Sequence, residues 1–293
     1  MGLLLKIILF GVAVYAAWKT FHRWKGLFDR FVGKPDEPAR PAPPSPPPSE
    51  PLATRKVVIV VGPVASEPAS YKDSARKLAD LARSYGASVK EIYSPYATWS
   101  RVKSAAVGAN LLIYLGHGNG WPSPYYPYST TSKNGFGLNA SYGNGNSNVK
   151  YYGEYYMKQL DLASNAVVAL NRLCYASGNN EWGAGNPTKS TAMKRVDNYG
   201  YGFIKAGAKA VYASGITSIG YVIRGLFKGS ASMTLWNLFW TDPNKTDTYH
   251  FSFNSSKIAG VKAIMDPYAP NRYYRSAVGK LSTTTIGDWR AGS

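Results

Sequence analysis

Apolar runs alternate with helical segments between residues 56 and 118, and this alternation limits the chain to a few folds. The runs are KVVIVVGP at 56–63, ASVKEIYSP at 87–95 and NLLIYLGHG at 110–118. Between them, residues 71–86 and 97–109 carry apolar side chains at the spacing of a helix. Strands that alternate with helices pair in parallel through right-handed crossovers. The sequence therefore predicts an α/β fold with a parallel sheet.

The second half of the chain continues the pattern less regularly. We predict two more strands, at 165–179 and 209–215, with a helix between them at 197–208. Residues 119–150 are rich in Gly, Asn, Ser and Tyr and are predicted to be a long functional or mobile loop. Helical structure is expected at 151–160 and 218–240, and the polar tail beyond Thr241 has no assignment.

Two segments precede this domain. Residues 1–33 contain an apolar run from Leu3 to Trp18, interrupted only by Lys6, and then a basic, aromatic stretch. Such a segment is typical of an uncleaved membrane anchor, with residues 3–31 on or in the bilayer and the domain on the cytoplasmic side. A cleaved signal peptide, with a secreted or cell-surface domain, is the alternative. Residues 34–55 form a proline-rich linker, and the predicted domain covers 56–293.

The charge and the reactive residue types exclude several classes of function. The net charge is +18, and the residues after position 54 contribute 27 basic and 12 acidic side chains, hence +15. This charge favours polyanions, but the chain has no run of five basic residues, so sequence-specific nucleic-acid binding is not expected. A single cysteine excludes an internal disulfide, and with three histidines it leaves few metal ligands. We expect no metal or cofactor.

A histidine and the only cysteine follow two predicted strands in similar settings. His117 stands between Gly116 and Gly118 after the third strand, and Cys174 ends the fourth, before small residues. Neighbouring parallel strands lie about 4.8 Å apart. If these two strands are neighbours, the imidazole is close enough to act on the thiol and to lower its pKa. A lone cysteine is more often an inert core residue, and the matched endings argue against that interpretation.

These residues resemble the clan of cysteine peptidases that contains caspases, gingipains and legumain. The resemblance covers residues 56–240 and depends on His117-Gly118, Cys174 and Ser177-Gly178. It is nearest to uncharacterised bacterial members with GHGNG and LCYASGN. Leu173 stands where many members have a small residue, and the caspase pentapeptide is absent. The resemblance implies a caspase-like three-layer αβα sandwich with a mainly parallel central sheet, preceded here by the membrane helix.

The resemblance also implies roles for three residues. Cys174 would be the nucleophile and His117 the general acid and base, while the backbone N–H groups of Gly118 and Cys174 would form an oxyanion hole. The chain would then be a membrane-tethered cysteine endopeptidase that acts on peptides or proteins without a cofactor. Charged and aromatic residues expected near this site are candidates for substrate binding. They are Asp161, Glu181, Trp121, Trp182 and Arg172, the last on the same strand face as Cys174, with Tyr125 and Tyr126 as further groove residues.

Two other interpretations stay open. The domain could be a catalytically inactive caspase-like scaffold whose aromatic loops bind peptides or glycans, or an unrelated α/β hydrolase or binding domain. If His117 and Cys174 are close together, the unrelated α/β domain is excluded. A reactive Cys174 thiol would then favour the enzyme over the inactive scaffold.

Overall fold

The computed structural model describes residues 54–65 and 67–292. These residues form an eight-stranded sheet, a two-stranded hairpin and seven helices. The strands are β1 (Lys56–Val61), β2 (Ser88–Tyr93), β3 (Ala109–Leu115), β4 (Phe136–Asn139), β5 (Val149–Tyr152), β6 (Leu162–Asn171), β7 (Ala210–Ser214), β8 (Phe251–Asn254), β9 (Lys262–Met265) and β10 (Arg275–Gly279). The helices are α1 (Pro68–Ser84), α2 (Trp99–Ala106), α3 (Glu154–Met157), α4 (Lys189–Lys205), α5 (Gly220–Lys228), α6 (Leu235–Phe239) and α7 (Ile286–Ala291).

The large sheet is mainly parallel, with strand order β2-β1-β3-β6-β7-β10-β9-β8. The first five strands in this order pair in parallel, and β10, β9 and β8 extend the sheet in antiparallel pairing. The central strands are buried on both faces, as their uninterrupted apolar runs predict.

Helices cover both faces of the sheet. One apolar cluster joins alternate side chains of β1 and β3 to α1, α5, α6 and α7, and Leu78, Val222, Leu238 and Trp289 are fully or almost fully buried in it. The other cluster joins the remaining strand side chains to α2, α3 and α4, with Val102, Met157 and Val196 buried. The predicted α/β fold with a mainly parallel sheet between two helical layers is confirmed.

The predicted membrane anchor, and the linker up to residue 53, lie outside the described residues. Among the residues that the structure does describe, no helix combines the length and the apolar character that crossing a bilayer needs.

The prediction of one long loop over 119–150 is wrong in part, because the hairpin β4–β5 forms there. The pairs run from Phe136 opposite Tyr152 to Asn139 opposite Val149. The four-residue strands are too short to stand out as a pattern in a Gly- and Asn-rich segment. Tyr152 also belongs to a strand rather than to the predicted helix, which is reduced to one turn, α3.

Two other boundaries differ from expectation. Helix α4 begins eight residues before the predicted start, where the side chain of Thr188 accepts a hydrogen bond from the backbone N–H of Thr191. Its first turns were not recognised because Lys189, Ser190 and Lys194 give them a polar sequence. The helical region at 218–240 is divided into α5 and α6 by a break at Gly229.

The unassigned tail supplies the antiparallel edge of the sheet. Arg275 on β10 is buried against the carboxylates of Asp242 and Asp266, and its Nη2 donates to the carbonyl of Phe239. The backbone N–H groups of Thr246 and Asp247 donate to Asp266 at 2.9 Å. This ion cluster holds the polar segment 242–247 against the sheet.

The described core begins at Val57, so a chain that starts at Thr54 should fold alone. We expect its melting temperature, measured by circular dichroism, to equal that of the full chain. Arg55 must be retained, because its guanidinium donates to the carbonyl of Gly292 and lies 5.8 Å from the Trp289 ring. Arg55→Met in the shortened chain should cost about 1 kcal/mol of unfolding free energy. A lower melting temperature for the chain from Thr54 itself would contradict the domain boundary.

Candidate active site

Two neighbouring strands bring His117 and Cys174 to the same edge of the sheet. Strands β3 and β6 pair in parallel, and their last residues, Leu115 and Asn171, are partners. His117 follows two residues after β3, and Cys174 three residues after β6. Cys174 therefore lies in the loop beyond its strand rather than at the strand end itself.

Glycines allow the two loops to touch. A Cβ atom at Gly118 would lie 2.1 Å from the carbonyl oxygen of Cys174, and one at Gly120 would lie 2.3 Å from the Cβ of Tyr175. Any side chain at either position would overlap the opposite loop. The glycines around His117 are thus explained by the close approach of its loop to the backbone that carries the thiol.

Tyr114 and the hairpin β4–β5 form hydrogen bonds with the backbone of His117. Its carbonyl accepts hydrogen bonds from the hydroxyl of Tyr114, at 3.1 Å, and from the N–H of Gly137 on β4, at 3.3 Å. Tyr114 is fully buried and donates also to the carbonyl of Gly137, at 2.6 Å. The position of the imidazole therefore depends on a hairpin that the sequence did not predict.

The imidazole and the thiol line one open cavity of about 540 Å³, the histidine cavity. Both residues are half-buried. The full lining is His117, Gly118, Asn119, Tyr125, Tyr151, Cys174 and Glu181.

A second cavity, of about 430 Å³, also borders Cys174 and is named here the arginine cavity. It shares Cys174 and Glu181 with the first, so these two residues stand where the cavities meet. Its other walls come from the loops after β6 and β7 and from the segment before β10. They include Arg172, Trp182, Ile216, Arg272 and four asparagines, Asn179, Asn180, Asn186 and Asn271.

Glu181 is fixed by one tyrosine from each loop. The hydroxyl of Tyr125 donates to its Oε2 at 2.8 Å, and the hydroxyl of Tyr175 donates to its Oε1 at 2.7 Å. Two neutral donors thus orient the carboxylate of Glu181.

Burial sets the protonation of the pair. It lowers the pKa of His117, an effect that the negative charge of Glu181 partly opposes. Burial raises the pKa of Cys174; the backbone N–H of Trp182 opposes this rise, and Glu181 adds to it. Both shifts favour a neutral thiol beside a neutral imidazole. Burial therefore opposes the lowering of the thiol pKa that the sequence predicts for a cysteine paired with a histidine.

The structure brings some of the predicted substrate-binding residues to the cavities. Arg172, Glu181 and Trp182 line the arginine cavity together with Cys174. Trp182 is 92 % exposed, so its ring stands in solvent at the cavity mouth. Tyr125, also predicted, lines the histidine cavity.

Arg172 does not share a strand face with Cys174, because β6 ends at Asn171 and Arg172 has a φ of 60°. Its guanidinium turns towards α1. There it pairs with Glu67 at 3.2 Å, donates to Ser70 Oγ at 2.8 Å and stacks 4.1 Å from the ring of Tyr71.

Asp161 and Trp121 lie apart from the cavities. Asp161 precedes β6 and its carbonyl accepts from the N–H of Gly108, which places it at the opposite edge of the sheet. Trp121 packs instead on Tyr126 and Tyr128, with ring centroids 4.9 and 5.4 Å away. The expected position of Asp161 near the site is wrong, since strand length separates the two edges.

Sequence reasoning missed two residues that shape the site. Tyr151, on β5, lines the histidine cavity, and Tyr175 orients Glu181. Tyr175 directly follows the cysteine and could have been suspected from that position. Tyr151 gave no signal, because its hairpin was not predicted. Among the described residues, no group of three His, Cys, Asp or Glu side chains could hold a metal ion.

Gly118→Ala should separate the loops. The added Cβ meets the Cys174 carbonyl at 2.1 Å, so one backbone must move. We expect a loss of about 1–3 kcal/mol in unfolding free energy and a changed rate of iodoacetamide labelling at Cys174. Gly185→Ala is the matched control, because a Cβ at Gly185 meets nothing within 4 Å. Equal effects of both substitutions on stability and labelling would show that the contact is not needed.

Comparison with known proteins gives matches at the level of solved structures. No family model matches the chain, and no curated protein does. The Arg-specific cysteine proteinase gingipain R is similar at 15 % identity and a TM-score of 0.35, over 80 % of this chain and 62 % of its own. A secreted cysteine protease from Bacteroides thetaiotaomicron, solved with an irreversible peptide inhibitor, matches at 10 % identity and a TM-score of 0.34, over 72 % of this chain and 66 % of its own.

A flavodoxin of Streptococcus pneumoniae also matches, at 15 % identity and a TM-score of 0.26, over 52 % of this chain and 77 % of its own. The chain spans somewhat less than two thirds of the length of the two protease structures. The solved structures similar to this chain thus include cysteine proteases, gingipain R among them.

Proposed function

We propose that this protein is a cysteine endopeptidase in which Cys174 is the nucleophile and His117 the general base and acid. The observation that carries the proposal is that the only cysteine of the chain and a half-buried histidine line one open cavity, at the ends of paired strands. The second cavity, which also borders Cys174, would give room for a peptide to extend past the nucleophile.

The proposed reaction has two stages. As the sulfur attacks the peptide carbonyl, His117 accepts the thiol proton and then gives it to the leaving amine, which leaves an acyl thioester on Cys174. His117 next accepts a proton from water, whose hydroxide attacks the thioester, and returns that proton to the thiolate as the acid product departs.

The negative oxygen that forms in each stage needs donors. The backbone N–H groups of Gly118 and Cys174 are proposed for this role, and within residues 54–65 and 67–292 neither donates to another protein group. Donors of this kind contribute roughly 3–4 kcal/mol to the transition state.

The electrostatics favour base-assisted attack over a preformed ion pair. Burial holds both the thiol and the imidazole neutral in the resting state. The proton then moves to His117 during the attack. Membrane attachment through residues 3–31 and a cytoplasmic site stay predictions from the sequence.

Labelling with a peptidyl chloromethyl ketone and cleavage of a fluorogenic peptide library test the proposal. Cys174→Ala should lose both, and His117→Ala should reduce cleavage about 10²–10⁴-fold with the fold intact. His250→Ala is the matched control, because His250 is exposed and bonds only to Asp247. If the wild type is neither labelled nor active, or if the three variants behave alike, the scaffold alternative replaces the enzyme.

The pH dependence of alkylation tests the electrostatics. The thiolate is the reactive form, and a raised pKa lowers its fraction at any given pH. Wild-type Cys174 should therefore react with iodoacetamide more slowly at pH 7 than a free cysteine. The rate should rise about tenfold per pH unit until the pH passes the raised pKa.

Glu181→Gln should speed alkylation at fixed pH, because it removes a negative charge that raises the pKa of Cys174. Asp161→Asn, at the opposite edge of the sheet, is the control and should leave the rate unchanged. A Glu181→Gln rate equal to the wild type would show that this carboxylate does not act on the thiol.

A further inference from the structure

The two loops that form the site are irregular, and a helix outside them holds them together. The histidine loop is defined here as residues 116–128 and the cysteine loop as residues 172–187. Neither contains a strand or helix. Their spacing therefore depends on the direct contacts between them and on side chains from other elements that reach both.

Arg195 on α4 reaches both loops. Its Nε donates to the carbonyl of Pro122, in the histidine loop, at 2.7 Å. Its Nη1 donates to the carbonyls of Asn179, at 2.8 Å, and Gly178, at 3.3 Å, in the cysteine loop. The planar guanidinium thus acts as a fork with one arm in each loop.

The same side chain supports the residue next to the thiol. The guanidinium lies 4.7 Å from the ring centroid of Tyr175, whose hydroxyl orients Glu181. One turn further along α4, Asn198 makes a second contact with the histidine loop, because its Nδ2 donates to the carbonyl of Trp121 at 2.8 Å.

This arginine differs from the one that fastens the tail. Arg275 is equally buried but lies between two carboxylates. Arg195 is 4 % exposed and, among the described residues, has no carboxylate within ion-pair distance. A buried cation without a counter-ion is costly, and carbonyl groups are its direct partners. The buried charge of Arg195 lies where the histidine loop and the cysteine loop meet.

We infer that Arg195 is a positioning residue that sets the distance between His117 and Cys174 by joining the histidine loop to the cysteine loop. The inference rests on the proposed function. Small errors in placement have large effects, since a displacement of about 1 Å can reduce a rate about 10²-fold. Removing the fork should therefore displace the imidazole relative to the thiol and uncouple the two, although both side chains are still present.

The test is a double-mutant cycle in the full chain. Cys174 is the only cysteine, so iodoacetamide uptake reports on that thiol alone. His117→Ala is made in the wild type, in Arg195→Met and in Arg290→Met. Arg290 is the matched control, because it too donates only to carbonyls, those of Leu226 and Gly229, on the far side of the sheet.

We expect His117→Ala to slow alkylation at least fivefold in the wild type and in Arg290→Met, and less than twofold in Arg195→Met. Peptide cleavage by Arg195→Met should fall in kcat about 10–100-fold, with KM changed less than threefold. An effect of His117→Ala in Arg195→Met as large as in the wild type would overturn the inference, whatever the loss of stability.

Arg195→Lys covers the case in which the methionine variant fails to fold. It keeps the charge but not the fork, so it should fold and still show less than a twofold effect of His117→Ala. Full coupling in the lysine variant would also overturn the inference. If His117→Ala has no effect in the wild type, the proposed function fails first, and the inference fails with it. Coupling in the wild type that persists in Arg195→Met leaves the peptidase standing and removes only the role of Arg195.

Discussion

The site depends first on the register between β3 and β6. Because Leu115 and Asn171 are partners, the residues that follow them leave the sheet at the same level. A slip of two residues would move the sulfur about 6.6 Å along the sheet relative to the imidazole. All seven residues of β3 are buried, and so are the last seven residues of β6, from Asn165 to Asn171, which fixes this register by packing on both faces. The packing of the core therefore also fixes the relative position of the two loops that carry His117 and Cys174.

Close packing of the loops has an electrostatic consequence. The close approach of Gly118 to the Cys174 carbonyl reduces the access of water to the thiol and the imidazole. Desolvation then raises the pKa of the thiol and lowers that of the imidazole. A site built this way has little thiolate at rest, which limits side reactions with oxidants. In the proposed reaction, catalysis would then depend on the alignment of His117 with the thiol at the moment of attack.

Much of this arrangement could be read from the sequence, and the rest depends on contacts that have no local signature. The apolar runs of β1, β3 and β7 and the glycines around His117 carry strong signals, so the parallel sheet was predictable, as was the meeting of His117 and Cys174 at one edge. Asp161 was misplaced because the start of β6 could not be located within its apolar run. The hairpin that supports His117 has strands of four residues, and its contacts to Tyr114 join positions that only the fold brings together. The antiparallel edge was missed because a buried ion cluster, not a hydrophobic pattern, fastens it.

Helix α4 connects these separate parts. Arg195 and Asn198 hold the histidine loop, Tyr199 donates to the carbonyl of Gly135 just before the hairpin at 2.7 Å, and Asp197 accepts from the N–H of Ser256 after β8 at 2.8 Å. Four polar side chains within five residues thus tie the helix to the site, the hairpin and the tail. Those groups cannot all lie on one helix face, so α4 contacts the histidine loop, the hairpin and the tail on different sides. Asp197, Asn198 and Tyr199 lie in the half of the helix that the sequence predicts, whereas the first half, with its polar Lys189, Ser190 and Lys194, is recognisable only from the fold.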